Sequence, residues 1–294
     1  MEQRREAVDE APRLEYPSGM RLLDTVLLSA LQGLTEVLPV SRSGHGAVAR
    51  LWLASDESAL TLEGVLQLST AAAAGVIARK RLAAALSQGV RGIARPSLFR
   101  TTPGAQDAAA LVLAIAVSLA VGAFTQPYGE VFRGAPVAVG LGLLTTGCAV
   151  ASVMFAPKPR GEALSMPAAA AVGAVHGLAV FPGASAVGAA LTLLLWLGIK
   201  PARAVDLALL LSIPSLVVAF ARSLTDVPAS SGGAGLDVGT MAMGCVVAFL
   251  SATLAGGALR ALLARRRLPA LSLWLIPLGL AMCAYARALG SAGA

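Results

Sequence analysis

The sequence predicts an all-α polytopic membrane protein: an inverted-topology repeat with about six transmembrane helices and two re-entrant helical hairpins. Three observations predict it. The chain is 56% apolar and 13% charged, with a mean hydropathy of +0.75, whereas soluble domains sit near about 45–50% and 25%. Two apolar stretches are interrupted by short segments rich in Pro, Ser and Gly, one around Pro39–Gly44 and one at Phe181-Pro-Gly-Ala-Ser185. Finally, a single shift of 144 residues superposes those two stretches. It places Gln32 on His176, Gly33 on Gly177, Leu34 on Leu178, Ser41 on Ser185 and Gly44 on Gly188. It also places Leu51-Trp52-Leu53 on Leu195-Trp196-Leu197, and the chain has only three Trp.

Taken in order, residues 1–19 mix Arg4, Arg5 and Arg13 with five acids. They form a polar tail expected to be disordered and unlike the basic n-region of a signal peptide, so the chain reads as uncleaved. The rest, 20–294, reads as one membrane domain with halves at 20–156 and 166–288. The first hairpin covers 20–54, and an acidic turn follows at Asp56 and Glu57. Spans are expected at 58–78, 107–126 and 135–156, each near the ~20 residues that cross a bilayer. A basic loop without acids fills 79–105, and Pro157–Glu162 is a polar linker. The second hairpin covers 166–198, and spans follow at 204–221, 239–259 and 268–288. A Pro/Ser/Gly-rich flexible loop lies at 227–235.

A hairpin makes no net crossing and three spans are an odd number, so the second half enters the membrane from the opposite side. Broken helices of such a repeat meet near the midplane and form the site. Fourteen Lys and Arg, those of 79–105 among them, fall on one face and seven on the other. The richer face is expected to be cytoplasmic, which turns both termini and the mouth of the first hairpin outward. The net charge of +7 therefore reflects topology, and nucleic-acid binding is excluded as a reading. Cys148, Cys245 and Cys283 lie far apart in apolar segments, with neither disulfide nor metal spacing.

The stretch from Leu31 to His45 concentrates the chemistry. Gln32 and Glu36 are four apart and share a helix face. Pro39 ends that helix, and Ser41, Ser43 and Gly44 suit a turn that caps a second helix starting near His45. A charged side chain at the bilayer centre costs roughly 2.5–3.5 kcal/mol on insertion scales, so Glu36 and Arg42 in one segment mark a candidate site.

At these residues the chain resembles the integral-membrane undecaprenyl-pyrophosphate phosphatases, the bacitracin-resistance family. The resemblance is carried by Gln32…Glu36 with Pro39-Val-Ser-Arg-Ser-Gly-His45, by Leu62-Glu-Gly-Val-Leu-Gln-Leu68, by Gly177-Leu-Ala-Val-Phe-Pro-Gly-Ala-Ser185 and by Leu211-Ser-Ile-Pro214. It runs over nearly the whole chain from about residue 20. Where the family's second motif has Arg, Ser and Thr, this chain has Ala186, Val187 and Ala190, and the middle serine of the first motif is Arg42. Position 42 is the repeat mate of position 186, so Arg42 is expected to replace the missing arginine from the opposite hairpin.

The resemblance implies hydrolysis of undecaprenyl diphosphate to undecaprenyl phosphate and inorganic phosphate. This recycles the carrier lipid for cell-wall synthesis at the outer face of the bacterial plasma membrane. The expected catalytic residues are Glu36, Arg42, Ser43 and His45. Arg42 would clamp phosphate oxygens and His45 would move the proton. Gln32, Ser41, Gly183 and Ser185 are expected to bind substrate, and Glu36 to hold a Mg²⁺ or Ca²⁺ ion. The expected partners are the polyprenyl diphosphate, membrane lipid and a second copy of the chain as a homodimer.

Structural readings stand beside these. His45 could be a packing residue, Glu36 and Arg42 a buried ion pair, and Ser41 and Ser185 helix caps. His176 fits packing, Glu63 a partner for broken backbone, and Arg50 either a pair with Glu36 or a snorkelling cation. Two other functions remain open: a polyprenyl-phosphate binder or translocator that does not hydrolyse, and an unrelated inverted-repeat transporter.

Overall fold

A computed structural model describes residues 22–52, 57–161, 164–226 and 237–292. The polar tail, the acid Asp56, Leu53 of the repeat match and the loop 227–235 lie outside the described residues. The first half contains α1 (Leu22–Val37), α2 (Arg42–Trp52), α3 (Glu57–Ile77), α4 (Arg79–Ala94), α5 (Leu98–Thr101), α6 (Pro103–Val131) and α7 (Pro136–Ser152). The second contains α8 (Met166–Gly177), α9 (Ala186–Trp196), α10 (Pro201–Asp226), α11 (Val238–Ala264) and α12 (Ser272–Ala292). Both apolar stretches fold as helix, break and helix, with the arms of each packed together.

Among the described residues, five helical segments are long and apolar enough to cross a membrane: Pro103–Val131, Pro136–Phe155, Pro201–Leu224, Val238–Ala264 and Leu268–Leu289. The span expected at 58–78 corresponds to α3, in which Leu62–Ile77 is apolar. Its N-terminal turns carry Glu57 and Glu63, and Glu63 is ion-paired with Arg50 of α2.

The basic segment 79–105, read from the sequence as a loop, is instead mostly helical. Its arginines obscure a helical stripe. Ala85 and Gly92 are buried while Leu86, Val90 and Ile93 point outward, and α4 packs along α6. Gln88 of α4 accepts the Gly104 N–H at 3.0 Å, capping the start of α6.

The 144-residue repeat is visible in contacts. α1 of the first half packs on α11 of the second, and its mate α8 packs on α6 of the first. α3 meets its own mate α10, and α7 meets its own mate α12. This is the exchange a two-fold relation requires. In a bilayer, helices gain little from hydrophobic association and rely on close packing of small residues. Gly33 lies so close to α11 that a Cβ would fall 2.1 Å from Ser251 Oγ and 2.3 Å from the Ala248 carbonyl oxygen. Its mate Gly177 touches α6, where a Cβ would fall 2.5 Å from the Ser118 carbonyl oxygen. Val37, Leu191, Leu194, Leu209 and Leu259 fill the core between the hairpins and their crossing helices.

One end of the bundle is tied by charges. Asp107 of α6, 1% exposed, pairs with Arg203 of α10 and with Arg81 of α4. Asp206 of α10 pairs with Arg81 at 3.3 Å and with Arg260 of α11 at 2.6 Å. Arg260 also donates to the Ile77 carbonyl at the end of α3, at 2.8 Å. All three arginines belong to the face assigned the larger positive count from sequence, and here they meet.

Candidate active site

The first break forms because Pro39 cannot continue α1 and Ser41 reverses the chain at a φ of +72°. That backbone is strained for a residue with a Cβ, and the hydroxyl offsets it. Ser41 Oγ accepts the Gly44 N–H at 3.1 Å, capping α2, and donates to the Ala184 carbonyl at 3.1 Å. In the second break Ser185 Oγ accepts the Gly188 N–H at 3.0 Å. The mate residues 41 and 185 thus cap at mate residues 44 and 188, and α2 and α9 begin at the mate positions Arg42 and Ala186. Of the two roles open for Ser41 and Ser185, this geometry supports the cap, since both hydroxyls are engaged.

The breaks also interlock. Ser43 Oγ accepts the Gly183 N–H at 3.1 Å, where Gly183 holds a φ of +81°. Thr146 of α7 fixes the second break by donating to the Gly183 carbonyl and accepting the Ser185 N–H, each at 3.1 Å. Ser43 therefore lies where the N-terminus of α2 faces the other half of the repeat.

Around Ser43 stand the charged groups. Arg42 Nε is 2.9 Å from Glu36 Oε2, an ion pair without an aligned hydrogen bond, and the two side chains are 32% and 13% exposed. Gln32, one turn earlier and 5% exposed, has no partner for Nε2 among the described residues. An amide N–H₂ left open beside this pair suits an incoming oxyanion. His45, on the next turn of α2, donates from Nδ1 to the Ser41 carbonyl at 2.9 Å, and its Nε2 accepts the indole N–H of Trp274 at 2.8 Å. Sequence reasoning missed Trp274, because 229 residues separate it from His45.

The residues expected to act together divide into two sets. Gln32, Glu36, Arg42, Ser43 and His45 gather on the first hairpin, while Gly183 and Ser185 contribute backbone and a cap. His176, the mate of Gln32, is buried and satisfied: Nδ1 lies 2.7 Å from Ser118 Oγ and Nε2 3.1 Å from Ser212 Oγ. Ser212 gives its own proton to the Ala208 carbonyl at 3.0 Å, so it accepts from Nε2–H and Ser118 donates to Nδ1. Arg50 takes neither role read from the sequence, because it pairs with Glu63.

Among the described residues no three His, Cys, Asp or Glu side chains gather as a metal cage. The site offers a divalent ion one carboxylate, Glu36, which suits an ion carried in on phosphate oxygens. Beside the second break, an apolar cavity of about 460 Å³ is lined by Leu141, Thr145, Leu178, Phe181, Pro182 and Ala189.

Residues 25–281 match the family model described as bacitracin resistance protein BacA. The chain is 26% identical over 266 residues to a Treponema denticola protein named undecaprenyl-diphosphatase, covering 90% of this chain and 98% of that one. It is 32% identical over 244 residues to a protein of the same name from Desulfosudis oleivorans, covering 79% and 86%. It is 35% identical over 199 residues to one from Pelobacter propionicus, covering 66% and 72%. A family model spanning most of the sequence, both hairpins included, removes the reading as an unrelated transporter: this chain belongs to the BacA bacitracin-resistance family.

Proposed function

We propose that the protein hydrolyses undecaprenyl diphosphate to undecaprenyl phosphate and inorganic phosphate. The observation that carries this reading is the Glu36–Arg42 pair at 2.9 Å, set beside His45 and Ser43 where the two hairpins interlock. The terminal phosphoryl group is placed against the Arg42 guanidinium, Ser43 and the free N–H groups that open α2. Arg42 binds two of its oxygens in a fork, Glu36 holds Arg42 in orientation, and Gln32 Nε2 donates to a third oxygen.

His45 takes a proton from a water molecule, whose oxygen attacks the terminal phosphorus. The bond from that phosphorus to the bridging oxygen breaks, and His45 returns the proton to the phosphate released or to the lipid phosphate that leaves. Phosphoryl transfer of this kind rests on charge neutralisation and alignment more than on covalent chemistry. A Mg²⁺ or Ca²⁺ ion on the diphosphate, when bound, supplies further charge neutralisation, and Glu36 is the residue that would hold it. The apolar cavity suits the first isoprene units of the chain, since its walls present almost only carbon.

The orientation follows from the distribution of Lys and Arg: the end tied by Asp107 and Asp206 faces the cytoplasm, and the mouth of the first hairpin opens to the outer side of the plasma membrane.

Purified protein in detergent, given undecaprenyl diphosphate with Mg²⁺, is expected to release phosphate, and chelation is expected to slow it. Retention of the lipid with no release at any divalent ion concentration would replace this reading by that of a polyprenyl-phosphate binder.

A further inference from the structure

His45 is held from both ends. A backbone carbonyl only accepts, so Nδ1 carries the ring proton; an indole N–H only donates, so Nε2 is the bare nitrogen. The lone pair that has to receive the proton in hydrolysis is therefore filled by Trp274. The two rings lie edge to edge, with centroids 6.3 Å apart and planes 24° from parallel, as an in-plane N–H···N bond requires. An imidazolium would set its Nε2–H against the indole N–H, so His45 accepts no proton in this arrangement.

The indole is nevertheless poised to leave. Trp274 is 59% exposed and Leu273 79% exposed, while Leu275 beside them is fully buried and anchors α12. Moving the Trp274 side chain disturbs no core contact and breaks one neutral hydrogen bond.

We propose that Trp274 is a positioning residue that caps His45 in the ligand-free protein and is displaced by the arriving phosphate group, so that the base is freed only when substrate is bound. This rests on the reading of His45 as the proton-transfer group. The cap matches the Nδ1–H tautomer that the Ser41 carbonyl sets, and it competes with ligand for Nε2. A neutral hydrogen bond lost before binding corresponds to about a two- to tenfold weaker apparent affinity.

The test uses the full chain in detergent micelles with Trp52→Phe and Trp196→Phe, leaving Trp274 as the one tryptophan, excited selectively over tyrosine. Inorganic pyrophosphate and farnesyl diphosphate are the probes. Saturable binding of either is expected to shift Trp274 emission and increase its quenching by acrylamide. With His45→Ala the ligand-free spectrum is expected to resemble the bound one already. In steady-state turnover, Trp274→Phe keeps the ring and removes the N–H; KM is expected to fall about two- to tenfold with kcat within twofold of the parent.

Unchanged emission at saturating probe would overturn the cap, as would a Trp274→Phe variant with KM unchanged and kcat reduced tenfold. If the parent binds both probes with the emission change yet releases no phosphate, the cap stands and the hydrolytic reading fails instead.

Discussion

Arg42 reaches back across the first break to bring its Nε within 2.9 Å of Glu36 Oε2, while the other charged residues of the hairpin arms, Asp24 and Arg50, lie near the far ends of α1 and α2. A purely structural pair and a phosphate clamp can look alike at rest, and they separate on removal. Arg42→Ser is expected to lower phosphate release by about 10³-fold, the scale of loss for arginines that stabilise a transferring phosphoryl group. Glu36→Gln is expected to fall comparably, and the double variant to be little worse than either single one, because residues acting as a unit are not additive. Turnover near the parent level in Arg42→Ser, with only a lower unfolding temperature, would reduce the pair to a structural tie.

Ala186 offers the converse experiment. It opens α9 one residue after the cap Ser185, just as Arg42 opens α2 one residue after the cap Ser41. Adding Ala186→Arg to Arg42→Ser is expected to recover about tenfold of the lost activity, measured as phosphate release. Recovery should be partial, since Val187 and Ala190 bring no hydroxyl to the second break. No recovery in a folded double variant would show that the two positions do not address one phosphate.

The two histidines are expected to behave oppositely. His45→Ala should abolish release and leave the fold intact. His176→Ala should leave turnover within about threefold and lower stability by about 1–3 kcal/mol, because it takes the acceptor from the buried Ser118 hydroxyl and the N–H donor from Ser212. His176→Gln, which restores the residue found at the mate position Gln32, should soften that loss. Thermal unfolding in detergent beside a phosphate assay decides both.

The elements that sequence reading recovered are those whose evidence is local. Pro39 and Pro182 break apolar runs, Ser41 and Ser185 sit three residues before a Gly at each new helix start, and two of three Trp repeat at one shift. What it missed was non-local or masked by charge. Nothing near Trp274 in the chain announces His45. The stripe of Leu86, Val90 and Ile93 in α4 was hidden by the arginines that suggested a loop. The ion network was legible in part: Asp107 and Asp206 both fall within apolar spans, where an unpaired carboxylate is costly, and that cost called for partners. Counting Arg81, Arg203 and Arg260 only toward topology left those partners unassigned.

That network supports a stability prediction. Asp107 is buried between Arg203 and Arg81, so Asp107→Ala leaves Arg203 as an uncompensated charge in the interior. Breaking a buried pair in this way costs about 3–5 kcal/mol. Arg81→Ala should cost less, because Arg81 is 25% exposed and water takes over part of its role. Unfolding in detergent is expected to rank the variants in that order, and a harmless Asp107→Ala would show that the end of the bundle is held by packing alone.

Gly33 and Gly177 test the repeat as a packing device. At each, the helix of one half runs against the crossing helix of the other with no room for a methyl group, at 2.1 Å from Ser251 Oγ and 2.5 Å from the Ser118 carbonyl oxygen. Neither clash can be relieved by a side-chain rotation alone, since backbone of α11 and α6 lies within 3 Å of the new carbon. Gly33→Ala and Gly177→Ala should therefore each cost about 1–3 kcal/mol, the usual penalty for overpacking. Gly33→Ala should also lower turnover, because shifting α1 against α11 moves Glu36 one turn away. Gly257 supplies the control. It lies in the same α11, with nothing within 4 Å of an added Cβ, so Gly257→Ala should be neutral or stabilising by up to about 1 kcal/mol through helix propensity. If all three variants unfolded at the parent temperature, the close approach of the two halves at Gly33 and Gly177 would not be a source of stability.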